Sequence, residues 1–134
     1  MPHVSQRQLD KKVEKELLKT LDLVLTKLTK EEEMQSFLLS LTTPTEKLML
    51  AKRLAMIILL KEGYSQSQIA AMLHVTRGTV FKMQLFMEAR GQGYDLALQK
   101  IQNEKAMQEL KGALVKLAGY TIRAAGGRVK PSIF

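Results

Sequence analysis

Hydrophobic residues recur at steps of three and four positions along most of the chain, the spacing that places them on one side of an α-helix. Lysines and glutamates fill much of the opposite face of the first segment, whose apolar positions are Leu9, Val13, Leu17, Leu21, Val24 and Leu28. This pattern predicts a long amphipathic helix from Ser5 to Leu28. We identify no strand pattern, so the predicted fold class is all-α.

Capping residues predict where the next two helices begin. Thr29 and Glu32 have the spacing of a capping box and open a second helix. Thr43, Pro44 and Glu46 supply an N-cap, a proline at the first helical position and an acid at the third. This is the strongest helix start in the sequence.

The third helix is expected from Pro44 to about Glu62. It is apolar nearly all round between Leu54 and Leu60, so it should be central and buried. Gly63 then ends it.

Residues 65–84 have the residue types that two short helices crossing at a tight turn require. Ala70 is small where the helices cross, Ser65 can cap the first helix, and Thr76 can cap the second. His74 occupies a turn position at which many such motifs carry glycine with a positive φ, and histidine tolerates this conformation at some cost. The pair is held against the domain by four apolar residues: Ile69, Leu73, Val75 and Val80.

The second helix of this helix-turn-helix is the element that would enter the major groove of DNA. Arg77 is the best candidate for two hydrogen bonds to guanine, Lys82 for guanine or phosphate, and Phe81 for thymine methyl groups or a neighbouring subunit. We assign DNA contact to eight residues: Ser65, Gln66, Thr76, Arg77, Gly78, Thr79, Phe81 and Lys82. The alternative interpretation is an ordinary pair of packed helices.

Gly91 and Gly93 mark the next break in the helical pattern. A further helix is predicted over residues 94–117, with an apolar stripe that slips at Glu104 and Lys105.

Glycine, proline and basic residues from Ala118 onward predict a flexible basic tail. The tail either follows phosphates or is merely a solvated terminus. We therefore divide the chain into a helical DNA-binding domain over residues 1–90 and a C-terminal helix with its tail over residues 91–134.

Charge is unevenly distributed along the 134 residues. The chain has 21 Lys and Arg against 13 Asp and Glu, a net charge of +8. Residues 1–43 hold seven basic and seven acidic side chains, whereas residues 44–90 and 91–134 each hold seven basic and three acidic ones. The positive charge lies with and after the predicted reading motif, which favours a polyanionic partner.

Several functional classes lack the residues they need. There is no cysteine, which excludes disulfides and thiolate metal sites and is typical of the reducing cytoplasm. We identify neither a signal peptide nor an apolar run of the roughly 20 residues that a membrane span requires. His3 near a terminus, His74 in a turn and the helix-capping acids 31–33 form no catalytic set. We therefore expect a cytoplasmic protein that is not an enzyme, binds no metal and contacts no membrane.

The segment from Phe37 to Leu73 resembles the core of the Trp repressor superfamily and reads FLLSLTTPTEKLMLAKRLAMIILLKEGYSQSQIAAML. The resemblance extends over roughly residues 10–90 and implies an all-helical homodimer. Its long N-terminal helices would interlace, and its two reading units would bind the half-sites of a palindromic operator. The apolar first helix fits such a dimer, because too little chain surrounds it to cover both of its faces.

The resemblance also concerns a small-molecule effector. In that family one arginine of the central helix and one of the reading helix clasp tryptophan; Arg53 matches the first, and Thr43 matches a threonine of the same pocket. The second arginine falls at Lys82, which lacks the planar guanidinium, and Met83 stands where the family has glycine. We expect Arg53 to form a salt bridge or a phosphate contact rather than to bind tryptophan.

The sequence thus predicts a regulator of transcription, a repressor, that binds double-stranded DNA as a homodimer and carries no cofactor. Whether any small-molecule effector binds stays open. The alternative function is a nonspecific nucleic-acid-binding protein or a helical assembly adaptor, which would use the same basic surface without distinguishing base sequences.

Overall fold

The structure is a computed structural model that describes the backbone of residues 8–124 and the side chains of residues 8–119. Over this range the chain forms seven α-helices and no strand, which confirms the all-α fold class. The helices are α1 (Lys11–Lys27), α2 (Glu31–Leu41), α3 (Pro44–Lys61), α4 (Gln66–Leu73), α5 (Arg77–Arg90), α6 (Gln92–Ile101) and α7 (Lys105–Ala124). None of them combines the length and hydropathy needed to cross a bilayer.

The chain divides into two units. The first, residues 1–47, contains α1, α2 and the start of α3, and the second, residues 48–134, contains the rest of α3 and the helices that follow. Neither α1 nor α2 has a buried residue.

The first helix begins later than the apolar pattern predicts. Asp10 caps it, because the Asp10 carboxylate accepts a hydrogen bond from the backbone N–H of Lys12 (3.1 Å). Residues 8–10 therefore precede the helix, while the predicted start at Ser5 lies outside the described residues.

The predicted cap of the second helix is also wrong. α2 begins after Lys30 rather than after Thr29, and no side chain caps it. Its first turn consists of Glu31, Glu32 and Glu33, whose carboxylates lie at the positive end of the helix dipole. This charge arrangement favours a helix start without a cap.

The start of α3 is a complete capping box, as predicted. The Thr43 N–H donates to the Glu46 carboxylate (2.8 Å), and the Glu46 N–H donates to the Thr43 hydroxyl (3.1 Å). The hydrogen bonds from the Thr43 backbone and side chain lower the pKa of the Glu46 carboxyl.

The core of the second unit is built around the C-terminal half of α3. Four consecutive residues, Met56 to Leu59, are buried, which confirms that this apolar stretch is central. A left-handed Gly63 (φ 88°) ends the helix, and the Tyr64 N–H reaches back to the Leu59 carbonyl (3.1 Å). The other buried residues lie in the connection between α3 and α4 and on α4, α5 and α7. They are Tyr64, Ile69, Ala70, Met72, Val80, Met83, Met107, Leu114 and Ala118.

Gly91 forms the junction between α5 and α6. A Cβ at this position would clash with the Met87 carbonyl oxygen, so no larger residue fits without a backbone shift. Gly93, the other predicted breaker, lies inside α6.

The single helix predicted over residues 94–117 is wrong, because the chain breaks between α6 and α7. Leu98 and Met107 both pack into the core and are nine residues apart, so a continuous helix turning about 100° per residue would point them to opposite sides. The break at residues 102–104 restores the register, at the place where the apolar stripe slips.

The predicted tail begins later than Ala118. α7 continues to Ala124, and Ala118 is buried in the core. The remainder of the predicted tail lies outside the described residues.

Candidate nucleic-acid interface

The helix-turn-helix lies in the second unit and consists of α4 and α5. Ser65 begins α4 with a reciprocal capping box: the Gln68 N–H donates to the Ser65 hydroxyl (3.1 Å), and the Ser65 N–H donates to the Gln68 side-chain oxygen (2.9 Å). His74 ends the helix in the left-handed conformation (φ 53°, ψ 51°), as its turn position predicts. Both ends of α4 therefore have the caps and backbone conformation that the sequence predicts.

Packing between the two helices follows the predicted spacing. Ile69 and Val80 are completely buried and Ala70 is nearly so, which lets α4 and α5 approach closely. Met72 and Met83 are buried as well, although the sequence analysis did not place them in the core. Their inward position follows from their helical spacing to Ile69 and Val80.

Gln66 joins the beginning of α4 to the second half of α5. Its side-chain amide donates a hydrogen bond to the Gln84 side-chain oxygen (2.9 Å), across 18 residues of sequence. The predicted DNA contact of Gln66 thus concerns a half-buried group that already helps to fix the angle between the helices.

Two threonines form the N-terminus of α5. The Thr76 hydroxyl accepts a hydrogen bond from the Thr79 N–H (3.1 Å), and the two hydroxyl oxygens are 2.8 Å apart. Both side chains are exposed. Thr76 therefore caps the helix as predicted and holds Thr79 in a fixed position beside it.

Five residues predicted to contact DNA share the exposed start of α5: Arg77, Gly78, Thr79, Phe81 and Lys82. Neither Arg77 nor Lys82 forms an ion pair with any of the residues that the structure describes. Phe81 exposes 49% of its surface. The face therefore combines two available cations with an apolar ring and a helix N-terminus.

Gly78 lies on this exposed face with free space where a Cβ would be. A Cβ built there would meet only the Thr76 hydroxyl oxygen, at 3.9 Å. Packing within the described part of the chain therefore leaves room for a Cβ at this position.

The exposed face extends along α5 beyond the predicted residues. Leu85 and Phe86 are half exposed, and the Arg90 guanidinium stacks 4.9 Å from the centre of the Phe86 ring. The signal that sequence analysis missed is the four-residue spacing of Lys82, Phe86 and Arg90, which gives α5 a second stripe beside its buried one.

The comparison with family models decides the relationship of this chain to known proteins. A model described as Trp repressor protein matches residues 15–102, well over half of the chain. The chain belongs to the Trp repressor family. The searches of curated proteins and of solved structures found no match.

Membership of the Trp repressor family confirms the resemblance and makes the α4–α5 pair the helix-turn-helix of a DNA-binding regulator. The matched region ends at Gln102, just after α6, so α7 lies beyond it.

The three residues that the resemblance assigned to an effector lie on three different elements. Thr43, in the first unit, uses its hydroxyl to cap α3. Arg53 on α3 and Lys82 on α5 are exposed side chains of the second unit. Arg53 forms no salt bridge with another described residue, and Met83, beside Lys82, faces the core.

Proposed function

We propose that this chain is a cytoplasmic, sequence-specific transcriptional repressor that binds double-stranded DNA as a homodimer. The observation that carries the proposal is the start of α5, which is rigidly capped, exposed and supplied with Arg77 and Lys82 in a chain of the Trp repressor family. The helix would enter the major groove with this end foremost.

Each exposed residue of this face has a chemistry suited to one part of the duplex. The planar guanidinium of Arg77 can donate two parallel hydrogen bonds to guanine, and Lys82 can bind guanine or phosphate. Phe81 can contact a thymine methyl group. The hydroxyls of Ser65, Thr76 and Thr79 lie at helix N-termini, where phosphate oxygens bind favourably.

The homodimer rests on the apolar stripe of α1. Leu17 exposes 55% of its surface and Leu21 exposes 40%, and no residue of this helix is buried in the single chain. A contiguous apolar stripe in water favours burial against a second surface. A second copy, interlaced through α1, would provide it and would set the two α5 helices about 34 to 36 Å apart, one turn of DNA.

We infer that DNA binding needs no tryptophan. Lys82 lacks the planar group that could stack on an indole, Met83 fills the core beside it, and the Thr43 hydroxyl already accepts a hydrogen bond. Arg53 is then available for a phosphate.

The alternative is nonspecific binding, which the net charge of +8 would also favour. Salt dependence is the same for both, whereas discrimination between base sequences belongs only to the specific regulator. Each good base contact should contribute about 1 to 3 kcal/mol to that discrimination.

The test is selection from a random pool of duplex DNA, without tryptophan, followed by sequencing of the retained molecules. The wild-type protein should enrich a palindromic motif, and a variant with Arg77→Ala and Lys82→Ala should lose it. A control variant with Lys100→Ala and Lys116→Ala removes the same charge from exposed positions on α6 and α7 and should keep the motif. Retention of DNA without any enriched motif would favour the nonspecific alternative.

A further inference from the structure

A cavity of about 330 Å³ lies within the second unit, between the end of α3, α6 and α7. Its apolar wall includes Ile58, Leu98 and Met107, of which Ile58 and Met107 are buried. The volume lies at the small end of the range typical of ligand sites, roughly 300 to 1,000 Å³.

Two ion pairs line the same cavity and join different helices. Lys111 on α7 approaches Glu62, just after α3, at 3.3 Å, and the two side chains are only 21% and 16% exposed. Lys61 pairs with Asp95 of α6 in a more exposed position. The cavity thus presents two cations and two anions beside an apolar wall.

None of the residues assigned to DNA or to a family effector lines this cavity, since Thr43, Arg53 and Lys82 lie elsewhere. Met107 and Lys111 also lie beyond the region that matches the Trp repressor family. The cavity therefore combines residues of the matched region with two residues of α7 that lie beyond it.

We propose that this cavity binds a small aliphatic α-amino acid. A simple anion entering it would meet two carboxylates, and a simple cation would meet two lysines. A zwitterion meets opposite charges at both of its ends, so no partly buried charge loses its partner. The apolar wall then accommodates a short aliphatic side chain.

The cavity is connected directly to the DNA-reading motif. Only Gly63 and Tyr64 separate Glu62 from Ser65, the cap of α4, and α7 packs against α4. An occupant held between α3 and α7 would shift the balance of α4 orientations and so change DNA affinity. This regulatory part rests on the proposed function, whereas ligand binding does not.

The binding test uses the full chain with ¹³C-labelled methionine methyl groups, and Met107→Leu assigns the signal of Met107. L-Leucine should shift this signal saturably. 4-Methylpentanoate, which lacks the ammonium, and 3-methylbutylamine, which lacks the carboxylate, should each bind at least about tenfold more weakly, because each has only one of the two charges that would meet an opposite charge of the cavity. The three ligands are compared on the wild-type chain, and Met107→Leu serves only to assign the signal, so the comparison does not depend on the stability of a binding-site variant.

Two variants sharpen the result. Lys111→Met should weaken L-leucine binding, while Lys105→Met, which removes a 91%-exposed lysine from α7, should leave it unchanged. The assignment is overturned when L-leucine, L-valine and L-methionine give no saturable shift up to about 10 mM, or when 4-methylpentanoate binds as tightly as L-leucine.

The proposed coupling between the cavity and DNA binding is tested by measuring DNA affinity with and without saturating L-leucine. A change in affinity with L-leucine that disappears in Lys111→Met supports the coupling. An unchanged affinity overturns the coupling and leaves the binding site standing. If the protein binds no DNA at all, the proposed function fails, but the methionine signals still report the site.

Discussion

α1 and α5 have similar helical spacing of apolar residues, but they bury these residues differently. α5 buries Val80 and Met83 in the core of its own unit, and its exposed start carries cations, hydroxyls and a glycine. α1 has no buried residue, and its exposed side chains include a continuous stripe of leucine and valine.

The difference teaches that helical spacing identifies an apolar side without saying what covers it. In α5 the cover comes from the core of its own unit, with α4 and α6 as its neighbours. For α1 we propose that it comes from a second copy. Substitutions of apolar residues should therefore impair folding in one region and association in the other.

The largest effect is expected in the core of the helix-turn-helix. Ile69→Ala removes a completely buried side chain and should lower the free energy of unfolding by about 2 to 5 kcal/mol, because a cavity remains. Leu96→Ala, at a position 58% exposed in the same unit, should change it by less than about 0.5 kcal/mol. Urea unfolding followed by circular dichroism measures both, and equal losses would contradict the assigned core.

The next effect concerns the stripe of α1. Leu17→Lys should raise the dimer dissociation constant at least about tenfold, since it removes about 1.5 to 3 kcal/mol of apolar burial and inserts a charge. Thr26→Lys is the control: it lies nine residues further along, on the opposite side of the helix, and should dimerise normally. Sedimentation equilibrium measures association; a monomeric wild-type protein at micromolar concentration would refute the homodimer.

A smaller effect tests the open face of α5. Gly78→Ala should keep or raise the free energy of unfolding, by up to about 1 kcal/mol, because the added methyl group has room. The same methyl group should hold the helix away from DNA and weaken binding. Gly112→Ala on α7, where a Cβ meets nothing within 4 Å, should stabilise the protein without this loss. Equal DNA affinity of both variants would remove Gly78 from the interface.

The smallest effect is a pH dependence from the cap of α3. The pKa of Glu46 is lowered from its ordinary value of 4.5 by its hydrogen bonds with Thr43. Its contribution to stability is therefore present above pH 4.5 and is lost as the pH falls through the lowered pKa. Glu46→Gln should flatten the acid side of a stability profile measured by urea unfolding, whereas Glu88→Gln, at an exposed position of α5 away from the start of that helix, should leave it unchanged.

Several local features were predicted correctly because each depends on residues within a few positions of one another. The capping boxes at Thr43 and Ser65, the cap at Thr76 and the left-handed turn at His74 are of this kind. The start of α2 was predicted wrongly. Three adjacent carboxylates favour a start after Lys30, and Thr29 does not cap the helix.

Other features depend on residues far apart in the sequence, and these were missed. The bond between Gln66 and Gln84 exists only because α4 and α5 cross at one angle. The second stripe of α5, with Phe86 and Arg90, was also missed although its four-residue spacing is local, because spacing alone does not show that these side chains are exposed.

The sequence by itself determined the all-α class, the caps of α3, α4 and α5, the helix-turn-helix and the resemblance to the family, because capping and apolar spacing act over one or two helical turns. Tertiary structure decided that the slip of the apolar stripe near Glu104 becomes a break between α6 and α7, and it formed the charged cavity beside that break. The physical reason is that Leu98 and Met107 both pack into the core, which a continuous helix turning about 100° per residue would not allow.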